Sequence, residues 1–275
     1  MADSDIDAIG PWSEVKLDIV REYAQAYSQI LSAREKPRLR HVYIDAFAGA
    51  GIHLSRSTKQ FVPGSPLNAL KVSPPFAEYH FIDIDHTRVG SLQQAATQRT
   101  NVFVHDGDCN EVLLEKVFPK VQFKDYRRAL CLLDPYGLHL DWRVIYTAGQ
   151  MKSVEIFLNF PIMDMNMNVL KHNQEAVPSE QAERMTRFWG DESWKSAAYS
   201  TTGNLFGYEE KTDNEAITAA FRKRLLSIAG FKHVSQPLAM RNSRGAVVYY
   251  LFFASPKPVA ERIVKDIFTK HGKRL

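Results

Sequence analysis

Apolar residues recur along this chain in two alternating rhythms. Trp12, Val15, Leu17, Ile19, Val20, Tyr23, Tyr27, Ile30 and Leu31 return every three or four positions, the spacing that lays one apolar stripe along a helix. Ser13 is placed to cap that helix, and Pro37 lies beyond its end. Short β-prone runs then follow at His41–Phe47, Glu78–Asp83, Asn101–His105, Arg128–Asp134 and Val154–Phe160. Helical or mixed stretches at 65–72, 86–98, 109–118 and 141–151 separate them. Strands alternating with helices predict a mostly parallel sheet with helices on both faces.

The rhythm breaks between 161 and 208, where the chain is polar, rich in Met and Asn, and carries Phe188, Trp189, Trp194 and Phe206. It resumes with a helix at 214–229 and a strand from His233 to Leu238. A polar turn, Arg241 to Gly245, leads into a strand from Ala246 to Ala254. Two late strands joined by such a turn predict an antiparallel hairpin at the sheet edge. The expected organisation is a helix and basic linker over 1–40, a core over 41–160, an insertion over 161–208 that serves as a substrate or partner region or as a local core, and completion of the sheet over 209–275.

Composition narrows this picture. With 275 residues and 45% hydrophobic content, the chain suits one large α/β domain carrying an insertion. A formal charge of +4 permits a polyanionic partner without requiring one. Cys109 and Cys131 are the two cysteines, and no C-x-x-C spacing exists, which excludes a zinc cluster or disulfide framework and suits a reducing cytosol. Met1 to Asp5 is acidic and polar, unlike a secretory signal. No apolar run approaches the roughly 18 residues of a membrane span. A cytoplasmic protein is expected.

The candidate chemistry sits where strands end. Asp45-Ala46-Phe47-Ala48-Gly49-Ala50-Gly51 closes the first strand run; Gly49 and Gly51 let backbone approach a ligand, with Phe47 a further candidate cofactor contact, unless the segment is only a tight turn. A dinucleotide fingerprint would place a third glycine where Leu54 stands. An acid before the glycines instead matches the S-adenosylmethionine pattern, with Asp45 orienting the turn and receiving the methionine ammonium. Asp83 is placed to accept ribose hydroxyls, whereas Asp85 suits a helix N-cap. Asp108 is placed for the adenine amine, with the Cys109 backbone amide facing the ring; Asp106 suits a turn. Three acids at successive strand ends would line the crevice where α/β sheets bind ligands. Residues 52–63, with His53, Arg56 and Lys59, form a loop that is either a surface insertion or a substrate or partner loop. The next helix starts at Gly64-Ser65-Pro66, with Ser65 as N-cap.

Asp134-Pro135-Tyr136-Gly137 resembles the (D/N)-P-P-(Y/F) motif of amino-methyltransferases acting on nucleobases or amides, without its second proline. Asp134 and a backbone carbonyl would accept the two N–H bonds of an exocyclic nitrogen and draw it toward tetrahedral geometry, while Tyr136 stacks on the base. The alternative is a strand-ending Asp-Pro turn with a packed tyrosine. Asn159 is either a second contact to the acceptor or another strand terminus. Arg34 to Arg40, Arg127-Arg128, Arg222 to Arg224 and Lys270 to Arg274 are candidate phosphate contacts or solvated faces.

Tyr43 to Gly49, Gly64-Ser65-Pro66-Leu67, Phe81-Ile82-Asp83, Asp134 to Leu138, Asn159-Phe160-Pro161 and Tyr250 to Ser255, with Trp12 and Lys16, together resemble the three-Cys-motif partner protein family, TcmP. That resemblance spans nearly the whole chain. It implies a bacterial or phage-associated protein with a methyltransferase-like fold and a three-cysteine-motif partner protein. The expected function is methyl transfer from S-adenosylmethionine to an exocyclic nitrogen of a nucleic acid. A cofactor-binding subunit acting with a cysteine-rich protein, or a small-molecule methyltransferase, are the alternatives.

Overall fold

The computed structural model describes residues 7–172, 176–200 and 210–274. The chain opens with strand β1 (Ala8–Ile9), helix α1 (Pro11–Ser32) and strand β2 (Arg40–Asp45). Next come β3 (Ile52–Ser55), β4 (Phe61–Pro63), α2 (Ser65–Ala69), β5 (Glu78–Asp83), α3 (His86–Ala96) and β6 (Val102–Asp106). A short α4 (Cys109–Glu111) winds on through one π-helical and one 3-10 turn, and leads to β7 (Arg127–Leu133), α5 (Trp142–Met151) and β8 (Val154–Phe160). After these lie α6 (Ile162–Asn168), α7 (Ser179–Trp189), α8 (Trp194–Ala198), β9 (Tyr199–Ser200), β10 (Glu210–Lys211) and α9 (Asn214–Ser227). The chain finishes with β11 (His233–Val234), β12 (Leu238–Arg241), β13 (Val247–Ser255) and α10 (Pro258–Gly272).

The main sheet runs β11-β13-β8-β7-β2-β5-β6, with β12 also on β13. The strands from β8 to β6 are parallel. β13 is antiparallel to β8, β11 and β12. This is the mostly parallel α/β sheet with late antiparallel strands that the apolar rhythm predicts. Alternation explains why both faces are covered. In β13, Tyr250, Phe252 and Ala254 enter one core layer, while Tyr249, Leu251 and Phe253 enter the other. A strand buried on both faces reads as an unbroken apolar run.

Several local expectations are corrected. Gly10 caps α1 in extended conformation with Pro11 behind it, and Ser13 lies inside the helix. Gly64 likewise caps α2, which places Ser65 in the first turn. Proline early in a helix needs no amide partner, which moves both starts upstream. Residues 52–63 are not an open loop, because β3 pairs antiparallel with β4 and parallel with β1. The expected 233–238 strand is two pieces, and Arg241 belongs to β12. Within 161–208, Met185, Phe188, Trp189 and Trp194 are not a separate local core. They join the main layer, with the Phe188 and Phe221 rings stacked at 5.6 Å. Phe206 lies outside the described residues.

Candidate functional site

The parallel strands deliver their carboxyl ends to one cleft of about 1030 Å³. Phe47, Gly49, Asp83, Asp108, Cys109, Asp134, Pro135, Tyr136 and Asn159 all line it. Sequence separation among these residues is large, and the parallel topology alone gathers them.

The turn after β2 is held by β5. Gly49 has φ +63°, a conformation that L side chains avoid, and its amide donates to Asp83 Oδ2 at 2.8 Å. Asp83 Oδ1 receives the Asp85 amide at 3.0 Å. A Cβ on Gly49 would meet only His53, at 4.0 Å, so the glycine keeps open space above the turn. Ile84, exposed to 70%, presents an apolar face to the cleft beside Asp83. Asp85 caps α3, as its position predicts. Asp108 caps α4, accepting from Asn110 at 2.8 Å and Glu111 at 3.4 Å, while also lining the cleft. Burial and the carboxylates of Asp108 and Asp141 raise the Cys109 thiol pKa, so it is a neutral wall and no nucleophile.

Two of the expected residues stand back from the lining. Asp45 is fully buried, with Oδ1 taking the Phe47 amide at 3.4 Å and Oδ2 unpartnered. Burial pushes its pKa up to about 7; Ser65 opposes the rise and the Asp134 charge adds to it. Gly51 receives the Gly64 amide on its carbonyl at 2.7 Å and ties the base of the β3–β4 hairpin.

Asp134 is gripped from two sides. Lys16 Nζ from α1 pairs with Oδ2, and Asn159 Nδ2 donates to Oδ1 at 2.9 Å. Because the carboxylate can only accept, Asn159 must turn its NH₂ toward it. Its Oδ1 is left buried without a partner. Tyr136, two residues on, is 89% exposed. His53 also faces the cleft; burial, then the Lys16 charge, lower its pKa and favour neutral imidazole, and its Nδ1 has no partner. Tyr249 completes the wall with Lys16 Nζ 5.5 Å from its ring centre.

Sequence reasoning did not assign Lys16, Ile84 or Tyr249 to the site, whereas it offered His53 and Arg56 on the 52–63 segment, and both line the cleft. Lys16 left a signal: it interrupts the apolar stripe of α1 between Trp12 and Val20, and a charge in a buried stripe needs a buried partner. Among the described residues no group of His, Cys, Asp and Glu is arranged to hold a metal. Nor is any described helix long and apolar enough to cross a membrane.

The strand order with β13 antiparallel defines a Rossmann-like methyltransferase sheet. No family model and no curated protein matches the sequence. Among solved structures, the chain is similar to protein LPL1258 from Legionella pneumophila, labelled DUF519. The two are 12% identical over 93% of this chain and 92% of that one, with a TM-score of 0.51. The chain is also similar to the N-methyltransferase NodS from Bradyrhizobium japonicum, solved with S-adenosyl-L-homocysteine. There the identity is 10% over 90% of this chain and 89% of that one, with a TM-score of 0.43. The likeness to LPL1258 is one of fold.

Proposed function

We propose that the protein is an S-adenosylmethionine-dependent methyltransferase whose acceptor is an exocyclic nitrogen of a nucleic-acid base. The observation that carries this reading is the pairing of Asp134 with Asn159, two residues that line the same cleft as the open Gly49 turn.

The cofactor's chemistry suits the residues present. Asp83 offers a carboxylate for ribose hydroxyls, Ile84 an apolar face and Asp108 an acceptor for an adenine amine, with unfilled space above Gly49. Asp45, fully buried behind the turn with its pKa raised to about 7, steadies that turn by accepting the Phe47 amide. When bound, S-adenosylmethionine supplies a methyl carbon already activated by its sulfonium. The chain's own contribution is position and polarity. Asp134, held by Asn159, and a backbone carbonyl of the same turn accept N–H bonds from the acceptor amine, drawing its lone pair out of conjugation. Tyr136 stacks on the ring. Neutral His53 stands close enough to the Lys16–Asp134 pair to sense both charges.

The exposed Tyr136 favours a large acceptor over a small molecule enclosed in a pocket. Purified protein with labelled cofactor should methylate RNA or DNA, and Asp134→Ala should lose transfer while keeping S-adenosylhomocysteine binding. Tight cofactor binding with no label in either nucleic acid would overturn the acceptor.

A second reading comes from Lys16, which already occupies Asp134. A partner that draws Lys16 away would make transfer partner-dependent, consistent with membership of the TcmP family and a three-cysteine protein as the partner. Transfer that appears only when a co-purifying cysteine-rich protein is added would favour this reading over the first.

A further inference from the structure

At the opposite edge of the sheet, where the parallel strands begin, two hollows adjoin. One, of about 300 Å³, is lined by Tyr27, Arg34, Arg128, Lys152, Glu155 and Lys257 with aliphatic neighbours. The other, of about 330 Å³, shares Arg34, Phe123 and Arg128 with it and adds Tyr126. Strands of six or seven residues separate this edge from the cleft by roughly 20 Å.

The rim is cationic, with Arg34, Arg128, Lys152 and Lys257 against the one carboxyl of Glu155. Among the described residues, no ion pair involves Arg34, Lys152 or Lys257. The Arg128 guanidinium lies 3.8 Å from the Phe123 ring centre, and one of its nitrogens donates to the Phe123 and Arg127 carbonyls. Burial lowers its pKa; Tyr27 opposes this, and the Arg34 charge adds to it. Cations that repel one another around a hollow are stabilised by an anion between them.

The floor is polar. Tyr27 is buried and its hydroxyl has no partner. That hydroxyl senses Glu155 and Arg128, which line the same hollow. The Glu155 carboxyl holds Tyr23 at 2.5 Å and Ser255 at 2.9 Å. Burial raises its pKa to about 7, and hydrogen bonds from Tyr23 and Ser255 and the Lys257 charge oppose the rise.

We propose that this edge binds a nucleotide unit, with the base in the hollow between Phe123 and Tyr27 and the phosphate among Arg34, Lys152 and Lys257. Three features select that ligand together. The exposed Phe123 ring suits a planar ligand, the unpartnered Tyr27 hydroxyl matches a polar base edge, and the cationic rim matches a phosphate. An acyl chain would strand the polar floor, and inorganic phosphate would leave the hollow unfilled. The proposal does not rest on the methyltransferase reading of the cleft. The unit can come from a free nucleotide or from a strand.

The test is calorimetric titration of the full chain, saturated with S-adenosylhomocysteine, with adenosine monophosphate, adenosine, inorganic phosphate and a 5′-phosphorylated trinucleotide. The monophosphate should bind at least about ten-fold more tightly than adenosine or phosphate alone. The double variant Lys152→Ala/Lys257→Ala, with an unchanged melting temperature, should weaken it at least about ten-fold, and Tyr27→Phe should weaken base selectivity. Lys16→Met, in the distant cleft, should leave it unchanged. A trinucleotide that outbinds the monophosphate assigns the site to a strand, and equal affinity assigns it to a free nucleotide. Monophosphate binding no tighter than phosphate, or indifference to the double variant, would overturn the proposal. So would a long-chain carboxylate that displaces the nucleotide.

Discussion

Asp134 is held by Lys16 on one oxygen and Asn159 on the other, so its geometry is set before any acceptor arrives. Asp134→Ala should reduce methyl transfer at least about a hundred-fold, with S-adenosylhomocysteine affinity nearly unchanged; an equal loss of both would make it a structural residue. Tyr136→Ala removes a side chain that packs against little, since 89% of it is exposed. Its melting temperature should not move, while the acceptor KM rises about ten-fold, in line with the stacking energy of one base. Asp83→Ala strips the Gly49 amide of its acceptor and should weaken S-adenosylhomocysteine binding in direct titration. Asp83, Asp108 and Asp134 were legible in the chain because each follows a β-prone run. Lys16 and Asp134 stand 118 residues apart, and no local pattern announces which acid a buried lysine meets.

Among the elements, α5 meets the turn after α9 at a point that tolerates no side chain. A Cβ on Gly149 would lie 2.1 Å from the Ala229 carbonyl oxygen. Gly149→Ala should therefore destabilise the fold by about 2 kcal/mol or more, seen as a lower denaturation midpoint with unchanged slope. A variant as stable as the parent would mean that α5 and this turn can separate without cost. The long apolar runs identified their elements because burial on both faces leaves no polar position within them. The β1–β3–β4 sheet was hidden for the opposite reason. β1 has two residues and β4 three, too few for a period, and β1 reaches β3 across the whole of α1. Helix starts were misread at Ser13 and Ser65 because a capping side chain is a local option, and a glycine cap with proline in the first turn set the start elsewhere.

For the whole molecule, two buried carboxyls set a pH dependence. Asp45 and Glu155 titrate at about 7 when folded, against 3.8 and 4.5 ordinarily. Between those limits the unfolded chain holds fewer of these protons than the folded one, so their contribution to stability falls as pH rises and levels off above about 7. Glu155→Gln keeps a neutral side chain at every pH. Its melting temperature relative to the parent should rise from pH 5 to pH 8, and an identical difference at both would contradict the raised pKa. The chain by itself determined the alternation of strands and helices, the acids at the strand ends and the late antiparallel hairpin. Those follow from periodicity and from residue types that act within a few positions of one another. Only the tertiary structure decided that the aromatic residues of 161–198 join the main core. It also set Asp45 behind the cleft wall and brought Lys16 to Asp134. Each of these depends on which distant surfaces meet, and burial and charge pairing settle that only once the sheet has closed between its two helical layers.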